Sequence, residues 1–168
     1  MGPLIDQHGL VGDLRTTALV ANDGTVDSLC MPDADSPSIF AALLDGDVGG
    51  HFRLDLTDVA DNIEIRRRQN YLPNTNILIT RLQADGAIIE IRDFMVPTHL
   101  AEGREAVFVR RITALHGSRT LRISCWPGFD YAREEHAANL SDDRFTVDFH
   151  AAGGGLLLQC LGLAGGSN

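Results

Sequence analysis

The chain has 168 residues, 44% of them hydrophobic and 22% charged, which is the composition of a globular protein with a core. Its formal net charge of -9 excludes a surface built to neutralise nucleic-acid phosphates or anionic lipid headgroups. All 14 basic residues are arginine, which rules out P-loop, Schiff-base and lysine-base chemistry together.

From the N-terminus, Met1 to Gly12 lacks the basic-then-apolar layout of a secretion signal. No run approaches the roughly 18 apolar residues of a membrane-spanning helix. Strands are expected near 16–21 and 25–31, around the Asn22-Asp23-Gly24 turn, whose glycine supplies the positive φ of a tight hairpin. Ser36 to Gly46 then reads as the one short helix, near 36–45. Ser36 or Asp35 would cap it, Pro37 would sit in its first turn and Gly46 would stop it, with Ile39, Phe40, Leu43 and Leu44 as the buried stripe. Further strands are expected near 51–56, 63–70, 75–83, 87–95, 105–114, 119–126, 144–150 and 156–161. Some alternate apolar with polar residues (Leu121, Ile123, Cys125; Phe145, Val147, Phe149), as half-buried strands do. Others, such as Ile77-Leu78-Ile79 and Val107-Phe108-Val109, are apolar on both faces. The expected fold is all-β: a single domain over 1–168, mostly antiparallel, built as two packed sheets in a sandwich with one short helix.

Reactive side chains are sparse. Glutamates stand only at 64, 90, 102, 105, 134 and 135. Glu64 and Glu90 alternate with isoleucines and are expected on a solvent face, and Glu134-Glu135 lie in a polar loop. That arrangement gives no acid–base pair, so the chain alone is expected to be inactive and carries no catalytic residues. Asp33 with Asp35, or Asp45 with Asp47, suit a calcium site, but helix capping and an exit turn are the simpler account. Asp13, Asp23 and Asp27 flank a hairpin and are expected to bond nearby backbone. The six histidines (8, 51, 99, 116, 136, 150) show no ligand spacing, so neither a metal nor any other cofactor is expected. Cys30, Cys125 and Cys160 fit neither a disulfide framework nor a zinc cluster. Reduced thiols in a cytoplasm follow, with Cys30 and Cys125 as buried fillers. Asn139-Leu140-Ser141 matches a glycosylation sequon that carries no weight without a secretion signal. The remaining constellation is Trp126-Pro127-Gly128-Phe129-Asp130-Tyr131 with Arg133. Rings beside a carboxylate and a guanidinium are what sugar recognition uses, and equally what a domain-docking surface uses.

Several segments, taken in order, resemble the N-terminal β-sandwich domain of bacterial glycoside hydrolase family 15 proteins, the glucoamylase and trehalase-like enzymes. They are Ile5-Asp6-Gln7-His8-Gly9-Leu10-Val11-Gly12-Asp13, Thr16-Thr17-Ala18-Leu19-Val20, Asp23-Gly24-Thr25-Val26-Asp27, Leu29-Cys30-Met31-Pro32, Asp35-Ser36-Pro37 through Leu44, Tyr71-Leu72-Pro73-Asn74-Thr75-Asn76, Asp93-Phe94-Met95 and Phe129-Asp130-Tyr131. Their order and spacing over roughly 5–131 carry the resemblance. Ser28 stands where the family usually has tryptophan, and Asp33-Ala34 where it has an Arg-Phe pair.

The resemblance implies a parent enzyme that hydrolyses α-glucosidic bonds with inversion, through two glutamates in a helical barrel that this sequence does not contain. It implies that barrel as partner, with this domain shaping the mouth of its active site. Contacts to the barrel, or to an α-glucan or disaccharide, are expected from Asp33, Asp35, Ser36, Trp126, Phe129, Asp130, Tyr131 and Arg133. The competing reading is a free-standing carbohydrate-binding or assembly module. The sandwich of the family is longer than this chain, so unpaired edges are expected to drive self-association, above all at Leu156-Leu157-Leu158-Gln159-Cys160-Leu161.

Overall fold

The computed structural model describes residues 4–97 and 105–162. In chain order the strands are β1 (His8–Gly12), β2 (Thr17–Ala21), β3 (Val26–Cys30), β4 (Ser38–Phe40), β5 (Gly50–Leu56), β6 (Arg66–Tyr71), β7 (Leu78–Ala84), β8 (Ala87–Met95), β9 (Phe108–His116), β10 (Leu121–Pro127), β11 (His136–Leu140), β12 (Thr146–Ala151) and β13 (Gly154–Gln159). A 3-10 turn, Ile5–Gln7, precedes β1, and a one-turn segment, α1 (Phe129–Ala132), joins β10 to β11. The fold is mostly β, antiparallel and sandwich-like, with a lone short helical segment, in line with the expected class.

Three sheets share the core. The first runs β1-β2-β3-β5-β10, with β4 added on β3; the second runs β6-β7-β8-β9; the third runs β11-β12-β13. Asp85-Gly86 forms the two-residue hairpin between β7 and β8, both residues at positive φ (43° and 77°), as the Asp-Gly step dictates. The main core joins Val11, Val20, Leu29 and Phe40 of the first sheet to Leu78 and Met95 of the second and Phe149 of the third. A second cluster packs Leu54 of β5 on Leu82, Ile89 and Ile91 of β7 and β8.

One ion pair crosses this interior. Asp93 and Arg110 face each other on β8 and β9 with side chains 0% and 3% exposed, bonded through two nitrogens at 2.8 and 2.9 Å. Arg110 also donates to the carbonyls of Gly24 in the β2–β3 turn and Phe52 of β5, and lies 4.7 Å from the Phe52 ring. Its donors are thereby spent on three separate elements, which compensates the desolvation of the pair and ties the two sheets together.

The helix expected near 36–45 is not there. Ser38, Ile39 and Phe40 are consecutive buried residues of β4, pairing with β3, and the chain then turns through Leu43 and Leu44. Lateral hydrogen bonds outbid the capping pattern: Gly128 N–H donates to Ile39 O, Ala41 N–H to Gly49 O and Ala42 N–H to Gly50 O. Leu44, placed in the buried stripe by its spacing, is 75% exposed. The segment that does make a helical turn is α1, inside the aromatic stretch. Three strands escaped the sequence reading. These are β4, the glycine-containing β1 and the small, polar, exposed β11. A Cβ on Gly9 of β1 would lie 2.5 Å from the Leu78 side chain, so a larger residue there would make Leu78 shift.

Candidate functional site

Three loops meet in a continuous rim beside the first sheet. The first is the β1–β2 turn. The buried Asp13 accepts hydrogen bonds at Oδ1 from the N–H groups of Arg15 and Thr16, both at 2.9 Å, the side-chain-to-backbone role expected of it. This turn pushes Leu14 outward, 99% exposed and at φ 78°, a left-handed conformation that a leucine adopts only at a cost.

Arg15 leads to the second loop. Its guanidinium grips Asp33 bidentately at 2.7 and 2.8 Å, and Ala34 N–H donates to Arg15 O. The hydrogen bond from Arg15 holds the Asp33 carboxyl below its ordinary range, and the same bond raises the guanidinium. Asp33 thus supplies the carboxylate that holds Arg15 in place. Ser36 Oγ accepts from Asp33 N–H, while Asp35 is exposed and makes no side-chain bond among the described residues. No helix stands here for either residue to cap.

The third loop is α1, fastened to the second by Ser38, whose Oγ accepts from Tyr131 N–H at 2.7 Å. Asp130, Tyr131 and Ala132 are all left-handed, with φ of 50°, 59° and 60°. Such a run costs about 1–2 kcal/mol per residue and persists only where the surroundings enforce it. Arg133 closes the turn, donating to Asp130 Oδ1 at 2.6 Å with its guanidinium 5.6 Å from the Tyr131 ring. Trp126 is 63% exposed, whereas Phe129 is buried in the core. His136 joins them, edge-on to Trp126, Phe129 and Phe149 at 5.4–5.8 Å. Of the residues expected at a contact surface, Asp33 and Ser36 form one bonded pair, and Asp130, Tyr131 and Arg133 form another group, tied to β4 through Ser38 with Trp126 beside it. Leu14 completes the rim; its spacing gave no sign, since only the positive φ and full exposure mark it.

Among the described residues the buried carboxylates are all engaged. Glu90 does lie on the outer face of the second sheet, as its alternation implies, but it is 2% exposed rather than solvated. Arg81 and Arg92 cover it with bonds of 2.8 and 2.7 Å. Burial works to raise its pKa, and the two arginines more than offset that, leaving it below the ordinary value. Asp27, expected to bond nearby backbone, faces inward instead, 2.8 Å from His8 Nε2; burial raises its pKa and His8 partly opposes the rise. Glu102 and His99 lie outside the described residues. Among the described residues no three His, Cys, Asp or Glu side chains converge as metal ligands. All three cysteines are unpaired, and burial pushes the Cys125 thiol up to about 12. Next to α1 a cleft of about 680 Å³ opens between the first and third sheets.

The family described as "Trehalase-like, N-terminal" matches residues 1–161. A trehalase of Mycolicibacterium smegmatis is 34% identical over 146 residues, covering 78% of this chain and 21% of that protein. A trehalase of Mycobacterium tuberculosis is 33% identical over the same shares. One from the archaeon Thermoplasma volcanium is 30% identical over 79% of this chain and 21% of its own. No solved structure matches the chain. The chain therefore spans about a fifth of the length of the curated relatives it matches.

Proposed function

Because the chain belongs to the trehalase-like N-terminal domain family, we propose that it serves as a single, non-catalytic β-sandwich domain of a family 15 type glycoside hydrolase. In this reading a helical-barrel partner carries the catalytic glutamates, and the hydrolysis of an α-glucosidic disaccharide such as trehalose belongs to the assembled protein. The observation that carries the reading is the state of the carboxylates. A general acid must be free to deliver a proton to a glycosidic oxygen. Here the buried ones are each bound to arginine, histidine or backbone N–H groups.

The rim of Leu14, Arg15–Asp33, Ser38–Tyr131 and Asp130–Arg133 is the surface offered to that partner. Strained, braced residues carrying exposed apolar groups are what docking uses and what an isolated domain gains nothing from. The reducing thiols fit a cytoplasmic setting, which fractionation of the host cell tests.

In a polypeptide that joins this domain to its helical partner, Leu14→Asp and Tyr131→Ala are each expected to lower trehalose hydrolysis about tenfold or more, because displacing a contact near a mouth misplaces substrate. The same variants leave the circular dichroism of the 168-residue chain unchanged. Leu14→Gly, which relieves the left-handed backbone, lowers the joined activity while making the chain more stable by about 1 kcal/mol. Full activity in all three variants overturns the docking role.

A further inference from the structure

The main core is closed on most sides and open on one. Phe40 and Phe129 are buried in it, but Phe52, Phe108, Leu156 and Leu158 pack on it only half-buried. These six line the cleft of about 680 Å³. A void of roughly 150 Å³ with such a lining already admits one benzene, so this cleft has room for about four groups of that size. Apolar walls facing that much space lose their dispersion partners and remain in contact with water, so the fold is incomplete at this place.

One wall is backbone. β13 pairs with β12 alone, and its other edge borders the opening, with a row of N–H and C=O groups that no described strand takes up. The Gly153-Gly154-Gly155 turn leads into it without side chains, and a Cβ on Gly154 would meet nothing within 4 Å. Same-face side chains of a strand recur about every 7 Å, so three or four inward groups need a strand about as long as the six residues of β13.

The rim selects among occupants by charge. Glu105, Asp130, Glu134 and Asp148 lie on the lining, with no arginine or histidine among its described residues. Asp130 is paired to Arg133 and Asp148 sits 3.0 Å from His150, while Glu105 and Glu134 have no cationic partner among the described residues. A second copy would bring the same acidic rim and its own net charge of -9 against this one. A small apolar ligand would leave the edge of β13 unsatisfied.

We propose that the cleft is the seat of an extended apolar peptide segment flanked by basic residues, which adds a strand to β13 and closes the core. Strand addition takes its affinity from main-chain bonds and its specificity from alternate side chains in pockets. The relatives carry nearly four-fifths of their length outside the shared region, which is ample to hold such a segment. The proposal stands on the cleft alone and does not depend on which sugar, if any, a parent enzyme cleaves.

The test uses the 168-residue chain and two synthetic peptides of about ten residues. Both alternate valine with threonine; one has arginine pairs at its ends and its twin has glutamate pairs. Amide hydrogen exchange is followed at β13, at low protein concentration and with rising peptide. The arginine-flanked peptide is expected to slow exchange there saturably, by about tenfold or more, with the twin at least about tenfold weaker. Ala106→Leu and Cys125→Met, which narrow the cleft, weaken that protection; should either variant fail to fold, the unsubstituted chain decides alone. Absence of slowing at β13, or equal slowing by both peptides, overturns the proposal. So does protection that rises with protein concentration in the absence of peptide, which identifies a second copy as the occupant.

Discussion

Asp93 and Arg110 hold the two larger sheets at one point, and their burial decides what substitution does. Arg110→Ala leaves a fully buried carboxylate without its cation, and the expected loss is about 3–5 kcal/mol. At about 2–4 °C per kcal/mol for a chain of this size, that is a fall in Tm of roughly 6–20 °C, read by thermal unfolding. The double variant Asp93→Leu with Arg110→Met removes both charges and is expected to recover most of the loss. A double variant no more stable than Arg110→Ala shows that the donors to Gly24 and Phe52, rather than the ion pair, hold the sheets. Nothing in the local sequence announces this pair. Asp93 occupies an inward position between Ile91 and Met95, and an inward aspartate with an arginine on the neighbouring strand is a usable signal only once the register is known.

At the scale of elements, β7 and β8 show how an outward residue becomes buried. Glu90 projects from the second sheet between Arg81 and Arg92, whose stems cover it. Its folded pKa lies below the ordinary carboxylate value, so its contribution is fully present above the unfolded pKa of about 4.5 and is lost as pH falls through the folded value. Glu90 is therefore expected to contribute to a fall in the urea midpoint below about pH 4.5, beside Asp33 and Asp143, whose carboxyls also lie below their ordinary range. Arg81→Ala with Arg92→Ala is expected to flatten that acid limb. An acid limb unchanged in this variant places the pH dependence elsewhere.

The strands with clean alternation or a tight-turn signal, β2, β3, β5, β7, β8, β10 and β12, were legible because their local period already satisfies the sheet. The segment from Ser36 to Gly46 was not. A serine cap, a proline and apolar spacing describe a helix well, yet the carbonyl of Ile39 and the hydroxyl of Ser38 are claimed by a loop some ninety residues further on. Long-range hydrogen bonds of that kind leave no periodic trace. The aromatic stretch 126–131 could be picked out by composition, but its left-handed turn and its junction with Ser38 and Ile39 of β4 exist only in three dimensions.

The molecule as a whole is an acidic scaffold of three sheets, whose outermost described strands are β1 and β10, β6 and β9, and β11 and β13. The end strands of the first two sheets invite pairing, and light scattering of the chain at rising concentration is expected to show species larger than a monomer, with the β13 edge left open. A profile that stays monomeric at every concentration means that the edges are blunted by the charges beside them. The larger claim is that this scaffold carries no hydrolytic machinery of its own. Its most direct test is a sugar-release assay of the purified 168-residue chain with trehalose, maltose and maltooligosaccharides across pH 4–8. Release at the level of buffer alone is the predicted result. Steady turnover that disappears when a single glutamate of this chain is changed to glutamine would contradict it.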